Sequence, residues 1–245
     1  MKEERLDKYV ASSLNLTRQE SKELIKNKKI KINNEIIRDG GYKVKDSDIV
    51  TYNDNILTYE DNIYLMMNKP KGYVSSTDDS DNKTILELIN DYNINKLMIV
   101  GRLDIDTTGL ILITTDGNFV HHLTSPNKDI TKKYKVICDK EFNEEDVNKF
   151  KEGITIYLDS DTPYKCKNSI LEILDNKNEA YITISEGKYH QIKKMCKMVG
   201  KMVYDLKRVE IGKLKLDPNL KEGEYRKLTN EEMELLKWLH IFIVN

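Results

Sequence analysis

The stretch GRLDIDTTGLILITTDG, residues 101–117, constrains the fold more than any other part of the chain. Its second half begins with an unbroken apolar run, Leu110 to Ile113, that leads to an Asp-Gly turn signal. This pattern is typical of a strand buried on both faces. Its first half places one arginine, two aspartates and two threonines between two glycines. The stretch therefore predicts a polar loop that enters a core strand, and so rigid a support suits a carboxylate that faces a substrate.

The charged residues of this loop are spaced two apart. Extended backbone would place Arg102 and Asp104 on one face, and Asp106 would continue the row. One interpretation is a charged turn at the entry to a strand, and the other is a catalytic carboxylate with its neighbours. Two carboxylates also suggest the acid–base chemistry of glycosidases. The spacing by itself favours none of these.

The distribution of charge indicates a polyanionic partner, although the net charge does not. The chain of 245 residues carries a formal net charge of −1 and is long enough for one large domain or two smaller ones. Residues 18–31 hold six basic side chains against two acidic ones, and residues 186–215 hold nine against three. Two basic segments in a neutral protein fit binding of nucleic acid at chosen surfaces. A single lysine-rich helix, however, is more often only a solvated face.

Several classes of protein are disfavoured by what the sequence lacks. The three cysteines, at positions 138, 166 and 196, are scattered without a CxxC pair, which predicts reduced thiols in the cytoplasm. The first residues lack the apolar core of a signal peptide, and the run Ile241 to Val244 is too short to cross a bilayer. No phosphate loop, dinucleotide fingerprint or zinc quartet is present. We therefore expect a cytoplasmic protein with no metal and no membrane partner.

The pattern changes near residue 60, which predicts a small module over residues 1–58 and a larger domain over residues 62–245. In the module, Thr17 to Glu20 is typical of a capping box, and it predicts a helix that runs through Lys28. Short alternating strands follow. The outer side of the helix and the residues just after it carry four basic residues: Arg18, Lys22, Lys26 and Lys29.

The larger domain alternates predicted strands and helices. Lys132 to Cys138 is typical of a strand, and a short helix is predicted over Thr84 to Asn90. A helix near residue 192 has apolar residues at helical spacing, and Gly200 ends it. Its apolar face comprises Ile192, Met195, Cys196 and Val199, and the basic residues off that face are Lys193, Lys194, Lys197 and Lys201. A closing helix, capped by Thr229 and Glu232, is predicted from Glu231 to about Leu239.

Four motifs resemble those of the RsuA type of pseudouridine synthases, and the likeness extends over nearly the whole chain. The loop motif comprises Gly101, Arg102, Leu103, Asp104, Thr107, Gly109 and Leu110. A Lys-Pro-x-Gly motif is matched by Lys69, Pro70 and Gly72, and a Lys-x-Tyr strand by Lys132 and Tyr134. The fourth motif comprises Gly187, Tyr189, His190, Gln191, Ile192, Lys193, Lys194 and Met195. The first 58 residues resemble the alpha-L RNA-binding motif shared with ribosomal small-subunit protein four.

The resemblance implies an α+β fold in which the small alpha-L module precedes a mixed, mainly antiparallel sheet with flanking helices. It implies isomerisation of one uridine in ribosomal RNA, with Asp104 as catalytic carboxylate and no cofactor. Tyr134 would pack on the uracil ring, Lys193 would pair with Asp104, and Arg102 would contact the substrate or hold the loop, of which we favour the loop. The basic residue at this position is lysine rather than arginine, so it supplies a point charge instead of a bidentate fork.

The sequence Tyr189-His190-Gln191 favours small-subunit (16S) RNA as the substrate, because large-subunit relatives tend to lack the histidine. The alternatives are a large-subunit (23S) enzyme, a binding-only assembly factor and a nucleoside hydrolase. We expect a monomer that acts on ribosomal RNA or on a ribosomal precursor particle. The residues expected to bind RNA are Arg18, Lys22, Lys26, Lys29, Lys194 and Lys197.

Overall fold

The computed structural model describes residues 3–14, 16–59, 62–158 and 162–237. The chain divides into two compact units, which we call the N-terminal unit and the C-terminal unit. The first comprises Met1–Ile63 with Asn90–Asn95, and the second comprises Tyr64–Ile89 with Lys96–Asn245. The end of the predicted closing helix and the run at residues 241–244 lie outside the described residues. Within those residues, no helix has the length and apolar character needed to cross a bilayer.

The N-terminal unit packs two short helices on small antiparallel sheets. Its elements are β1 (Glu4–Arg5), α1 (Leu6–Ser13), α2 (Arg18–Lys26), β2 (Ile30–Ile32), β3 (Glu35–Ile36), β4 (Lys43–Val44), β5 (Val50–Tyr52) and β6 (Asn55–Ile56). The strands β3, β2, β5 and β6 form one sheet in that order, and β1 pairs with β4. One buried cluster holds both layers together, and it comprises Leu6, Val10, Ile25, Ile30, Ile32, Val44, Val50 and Leu57.

Both ends of α2 are fixed by local hydrogen bonds. The predicted capping box is present, because the Glu20 backbone N–H donates to Thr17 Oγ1 at 3.2 Å and the Thr17 N–H donates to Glu20 Oε2 at 2.7 Å. The helix ends two residues before Lys28, the predicted end, because that residue adopts φ +61°. The Lys29 N–H then reaches back to the Leu24 carbonyl at 3.1 Å in a Schellman motif. The basic residues of this segment are all exposed: Arg18, Lys22, Lys26 and Lys29.

The C-terminal unit contains one large sheet and a separate two-stranded sheet, which is formed by Thr155–Tyr157 and Pro163–Lys165. Its strands are β7 (Tyr64–Lys69), β8 (Met98–Val100), β9 (Thr108–Thr114), β10 (Lys132–Cys138), β11 (Thr155–Tyr157), β12 (Pro163–Lys165), β13 (Ile170–Ile173), β14 (Glu179–Ile184), β15 (Val203–Ile211), β16 (Leu214–Lys215) and β17 (Tyr225–Lys227). Its helices are α3 (Gly117–Thr124), α4 (Glu144–Glu152), α5 (Gln191–Met198) and α6 (Asn230–Lys237). Short 3-10 helices cover Ile85–Leu88, Ile94–Lys96 and Pro126–Lys128.

The predicted core strand, β9, lies in the middle of the large sheet. The strand order is β13-β14-β10-β15-β9-β7-β17, with β8 beside β9 and β16 beside β15. Among the described strands of this sheet, β15 and β9 pair in parallel and the other pairs are antiparallel. All seven residues of β9 are buried. The predicted mixed, mainly antiparallel sheet with flanking helices is therefore confirmed.

Gly109 is required where β9 leaves the polar loop. Its φ is +101°, and a Cβ at this position would lie 2.2 Å from the backbone oxygen of Arg208. Glycine alone allows both this backbone conformation and the close approach of two chains. The residue therefore sets the distance between the loop and β15.

Two predictions for this unit need correction. The helix predicted over Thr84 to Asn90 is only a 3-10 helix over Ile85–Leu88. The basic segment 186–215 does not form one exposed surface, because Lys201 and Arg208 are buried. Lys201 instead pairs with buried Asp146 at 2.6 Å. The capping box of α6 is present as predicted, with both hydrogen bonds between residues 229 and 232.

Candidate active site

The loop before β9 is closed by a turn that begins at Asp104. The Thr107 N–H donates to the Asp104 carbonyl at 3.0 Å, so Asp106 does not continue an extended row and that prediction is wrong. The buried Ser75 hydroxyl binds the backbone of Leu103 on both sides, since it donates to the carbonyl at 3.0 Å and accepts from the N–H at 3.0 Å. The backbone on both sides of Asp104 is therefore fixed by hydrogen bonds.

The Lys-Pro-x-Gly motif supports the same loop. The Lys69 side chain is buried, and its Nζ donates to the backbone oxygens of Thr107 at 2.9 Å, Pro70 at 3.0 Å and Ile105 at 3.4 Å. Burial lowers the pKa of Lys69 to about 8, although the charges of the two loop aspartates oppose this shift. The Gly72 N–H adds a hydrogen bond to the Ile105 carbonyl at 2.9 Å. The motif thus supports the loop by hydrogen bonds to the loop backbone.

Lys193 of α5 contacts both loop carboxylates. Its Nζ lies 3.1 Å from Asp104 Oδ2 and 2.5 Å from Asp106 Oδ1. Burial would lower the pKa of Lys193, but its hydrogen bonds to Asp106 and Asp104 and their charges raise it. Burial likewise would raise the pKa of Asp106, but the hydrogen bond and charge of Lys193 lower it. The Asp104 side chain is 27% exposed, so its carboxylate is held in place by Lys193 and is still open to a ligand.

His190 is a second neighbour of Asp104, and the sequence interpretation left it without a function. Its Nε2 lies 3.6 Å from Asp104 Oδ2. The side chain of the next residue, Gln191, is buried and holds the turn, because its Oε1 accepts from the Lys188 N–H at 2.9 Å and its Nε2 donates to Glu186 Oε1 at 2.8 Å. The sequence feature that could have indicated His190 is its position three residues before Lys193, about one helical turn away.

Tyr134 lies on β10, in a row of paired residues that crosses the sheet to Gly109, where the loop enters β9. It pairs with Arg208 of β15, and Arg208 pairs in turn with Gly109 of β9. Two strand spacings place Tyr134 about 10 Å from Gly109. Its side chain is buried. The topology therefore brings Tyr134 to the same end of β9 as the loop.

Arg208 was missed by the sequence interpretation, which treated it only as part of the general resemblance. Its guanidinium is buried, and its Nε donates to the Leu110 carbonyl at 2.7 Å. Its Nη2 has no hydrogen-bond partner among the described residues. A buried cation is costly unless it is paired. Arg208 adds positive charge near the start of β9, and this charge contributes to the lowered pKa values of Lys69 and Lys132.

The remaining predicted site residues lie at the surface. Arg102 is exposed and forms no hydrogen bond or ion pair with the part of the chain that the structure describes, so no contact supports the loop-holding function favoured from sequence. Lys194 is half-buried, and its Nζ lies 5.4 Å from the centroid of the Tyr189 ring. Lys197 is exposed one turn further along α5. Among the described residues, no group of three acidic, histidine or cysteine side chains is arranged to hold a metal ion.

Comparison with known families assigns the class of protein that this fold and site define. Residues 63–198 match the RNA pseudouridylate synthase family, and residues 4–50 match the S4 domain. The chain belongs to the pseudouridine synthases of the RsuA type, which carry an N-terminal S4 domain. The predicted family and enzyme class are confirmed.

The chain is similar over almost its full length to enzymes of one kind. Ribosomal small subunit pseudouridine synthase A of Escherichia coli (strain K12) is 38% identical over 230 residues, which cover 94% of this chain and 98% of that protein. The protein of the same name from Haemophilus influenzae (strain ATCC 51907 / DSM 11121 / KW20 / Rd) is 41% identical over 233 residues, with coverage of 95% and 99%. A crystal structure of a pseudouridylate synthase superposes with a TM-score of 0.67 at 39% identity, and covers 95% of this chain and 99% of that one.

Proposed function

We propose that this pseudouridine synthase isomerises one uridine of small-subunit (16S) ribosomal RNA. The observation that carries the proposal is the partly exposed Asp104 carboxylate, held at 3.1 Å by Lys193 on a loop that is fixed by hydrogen bonds from Lys69 and Ser75. A binding-only assembly factor would not need this arrangement. The choice of the small subunit rests on the near full-length similarity to relatives that carry that name.

In the proposed reaction, Asp104 acts on a uridine that has been extruded from the RNA. Extrusion costs a few kcal/mol, and it costs least where the base is already unpaired. The bond from C1′ to N1 breaks, the freed uracil turns, and a bond from C1′ to C5 forms. The proton on C5 leaves and N1 gains one, so the product has the mass of the substrate. Asp104 acts either as nucleophile or as base, and both need the ionised carboxylate.

The neighbouring residues bind and orient the substrate in this proposal. Tyr134 packs on the uracil ring, and base–aromatic stacking contributes about 1–3 kcal/mol. Lys193 holds both carboxylates in place through its contacts at 3.1 Å and 2.5 Å. Arg102, whose exposed side chain is not engaged with the loop, faces the RNA. Lys194 and Lys197 of α5 contact phosphates near the site.

A direct test uses unmodified small-subunit and large-subunit ribosomal RNA transcripts, each as naked RNA and as precursor particles. Pseudouridines are located after incubation by carbodiimide labelling and primer extension. We expect modification of one uridine in the small-subunit RNA and none in the large-subunit RNA. Modification confined to large-subunit RNA would overturn the choice of substrate, and no modification in any of the four samples would overturn the reaction. The monomeric state and the cytoplasmic location stay predictions.

We propose that the exposed basic residues on and just after α2 bind RNA phosphates: Arg18, Lys22, Lys26 and Lys29. The double variant Lys22→Gln/Lys26→Gln is expected to weaken RNA binding and to reduce the slope of log K against log salt by about 2, because each phosphate contact contributes about 1. Turnover at saturating RNA should change little. The measurement is a filter-binding titration at several salt concentrations.

The matched control removes two exposed charges from elsewhere in the same unit. Lys43→Gln/Lys45→Gln leaves α2 intact, since both lysines lie on or next to β4 and are exposed. For this control variant, the slope of log K against log salt is expected to equal that of the wild-type protein. Equal slopes for all three proteins would show that α2 does not carry the phosphate contacts.

A further inference from the structure

The two aromatic rings that precede α5 form a stack that starts at the catalytic carboxylate and ends in solvent. The ring centroids of Tyr189 and His190 lie 3.8 Å apart, and the ring planes differ by 21°. His190 Nε2 lies 3.6 Å from Asp104 Oδ2. The Tyr189 side chain, in contrast, is 56% exposed. We call this pair the Tyr189–His190 stack.

The stack is held in position by the backbone and by a buried hydrogen-bond network. His190 has φ +54°, a left-handed conformation that few residues other than glycine adopt. Gln191 and Glu186, both buried, bind each other at 2.8 Å. Gln191 also accepts from the Lys188 N–H at 2.9 Å, and the Tyr164 hydroxyl donates to Glu186 at 2.6 Å. The two rings are thus positioned by groups that need no substrate to order them.

We propose that the Tyr189–His190 stack is a platform for the base of the nucleotide that adjoins the target uridine. This inference rests on the proposed function and names a further part of its substrate site. When a uridine leaves its place in the RNA, the adjoining base loses a stacking partner. An exposed ring beside the catalytic carboxylate replaces that partner, because every nucleobase has a face that stacks on an aromatic side chain.

The charges around the platform suit RNA as the occupant. Lys194 Nζ lies 5.4 Å from the centroid of the Tyr189 ring, where its ammonium serves the phosphate between the two nucleotides. The two tyrosines of the site then have separate functions. Tyr134, which is buried on β10, serves the extruded base, and Tyr189, which is exposed, serves its neighbour.

The first arm of the test compares Tyr189→Leu, Tyr189→Phe and the control Tyr157→Leu on an RNA that the wild-type protein modifies. Tyr157 is a tyrosine of the same unit, on β11, with a similar exposure of 51%. Loss of one stacking contact is expected to raise KM between about 5- and 150-fold for Tyr189→Leu, with little change in kcat. Tyr189→Phe and Tyr157→Leu are expected to keep the wild-type KM.

The second arm removes the base instead of the ring. A short RNA that spans the modified uridine is made with an abasic ribose on its 5′ side or on its 3′ side. One of these two RNAs lacks the base that stacks on Tyr189. On that RNA the KM of the wild-type protein should rise, and Tyr189→Leu should not raise KM further. On the other RNA, Tyr189→Leu should keep its full effect.

The outcomes separate the platform from the reaction itself. A wild-type protein that modifies no RNA overturns the proposed function, and the platform with it. A wild-type KM for Tyr189→Leu, or an effect of this substitution that persists in full on both abasic RNAs, overturns the platform alone. An equal increase of KM in Tyr189→Phe also overturns it, because stacking does not need the hydroxyl.

Discussion

The substitution Asp104→Asn is expected to abolish pseudouridine formation and to leave folding and RNA binding intact. The amide has the shape of the carboxylate but acts neither as nucleophile nor as base, so we expect a loss of about 10³-fold or more in kcat. The loop should keep its conformation, because its backbone carbonyls accept hydrogen bonds from the side chains of Lys69 and Ser75 and from the Gly72 N–H. Lys193 also keeps its contact with Asp106 at 2.5 Å. Release of label from uridine tritiated at C5 measures the reaction, and filter binding measures the affinity for RNA.

Asp106→Asn is the matched control, since it makes the same chemical change two residues away at the same lysine. We expect only a mild effect, because Asp104 keeps its carboxylate and its contact with Lys193. In the structure, Asp106 is the closer of the two carboxylates to Lys193. Asp106→Asn is therefore a stricter control than the sequence alone suggested. Turnover retained in Asp104→Asn and lost in Asp106→Asn would transfer the catalytic function to Asp106.

The features that the sequence predicted well are those whose causes lie within a few neighbouring residues. The buried strand β9 follows from consecutive apolar residues next to a turn signal, and the start of α2 follows from its capping box. The contact between Asp104 and Lys193 was expected only by resemblance, because the two residues lie far apart in the chain. No local pattern indicates which distant side chain meets a carboxylate.

The features that the sequence could not predict depend on long-range contacts. The turn at Asp104 is held by Lys69 and Ser75, which belong to another segment, so an extended row was the simpler expectation. Lys201 was counted as part of a basic surface, but it is buried with Asp146. Arg208 is buried because β15 pairs beside β9. In each case the partner of a charge is set by the sheet topology and not by its neighbours in sequence.

Lys193→Met is expected to lower kcat/KM by about 10²-fold at neutral pH, because the carboxylate loses both its position and its counter-charge. The charge of Lys193 lowers the pKa of Asp106, so its removal raises that pKa. Asp106, left beside Asp104 without the ammonium, then takes up a proton at a higher pH. The acid limb of the profile of kcat/KM against pH should therefore move to higher pH, and the loss should grow as the pH falls.

Two further variants separate the charge at this position from a general effect of losing a lysine on α5. Lys193→Arg keeps a cation and should return the acid limb to near its wild-type pH. It should restore only part of kcat/KM, because the guanidinium differs in shape from the ammonium. Lys194→Met removes the adjacent ammonium, which contacts neither carboxylate, and should raise KM without moving the limb. A pH profile of Lys193→Met that coincides with the wild-type profile would show that the ammonium does not hold Asp106 in its charged state. The 3.1 Å contact would then serve only to join α5 to the loop.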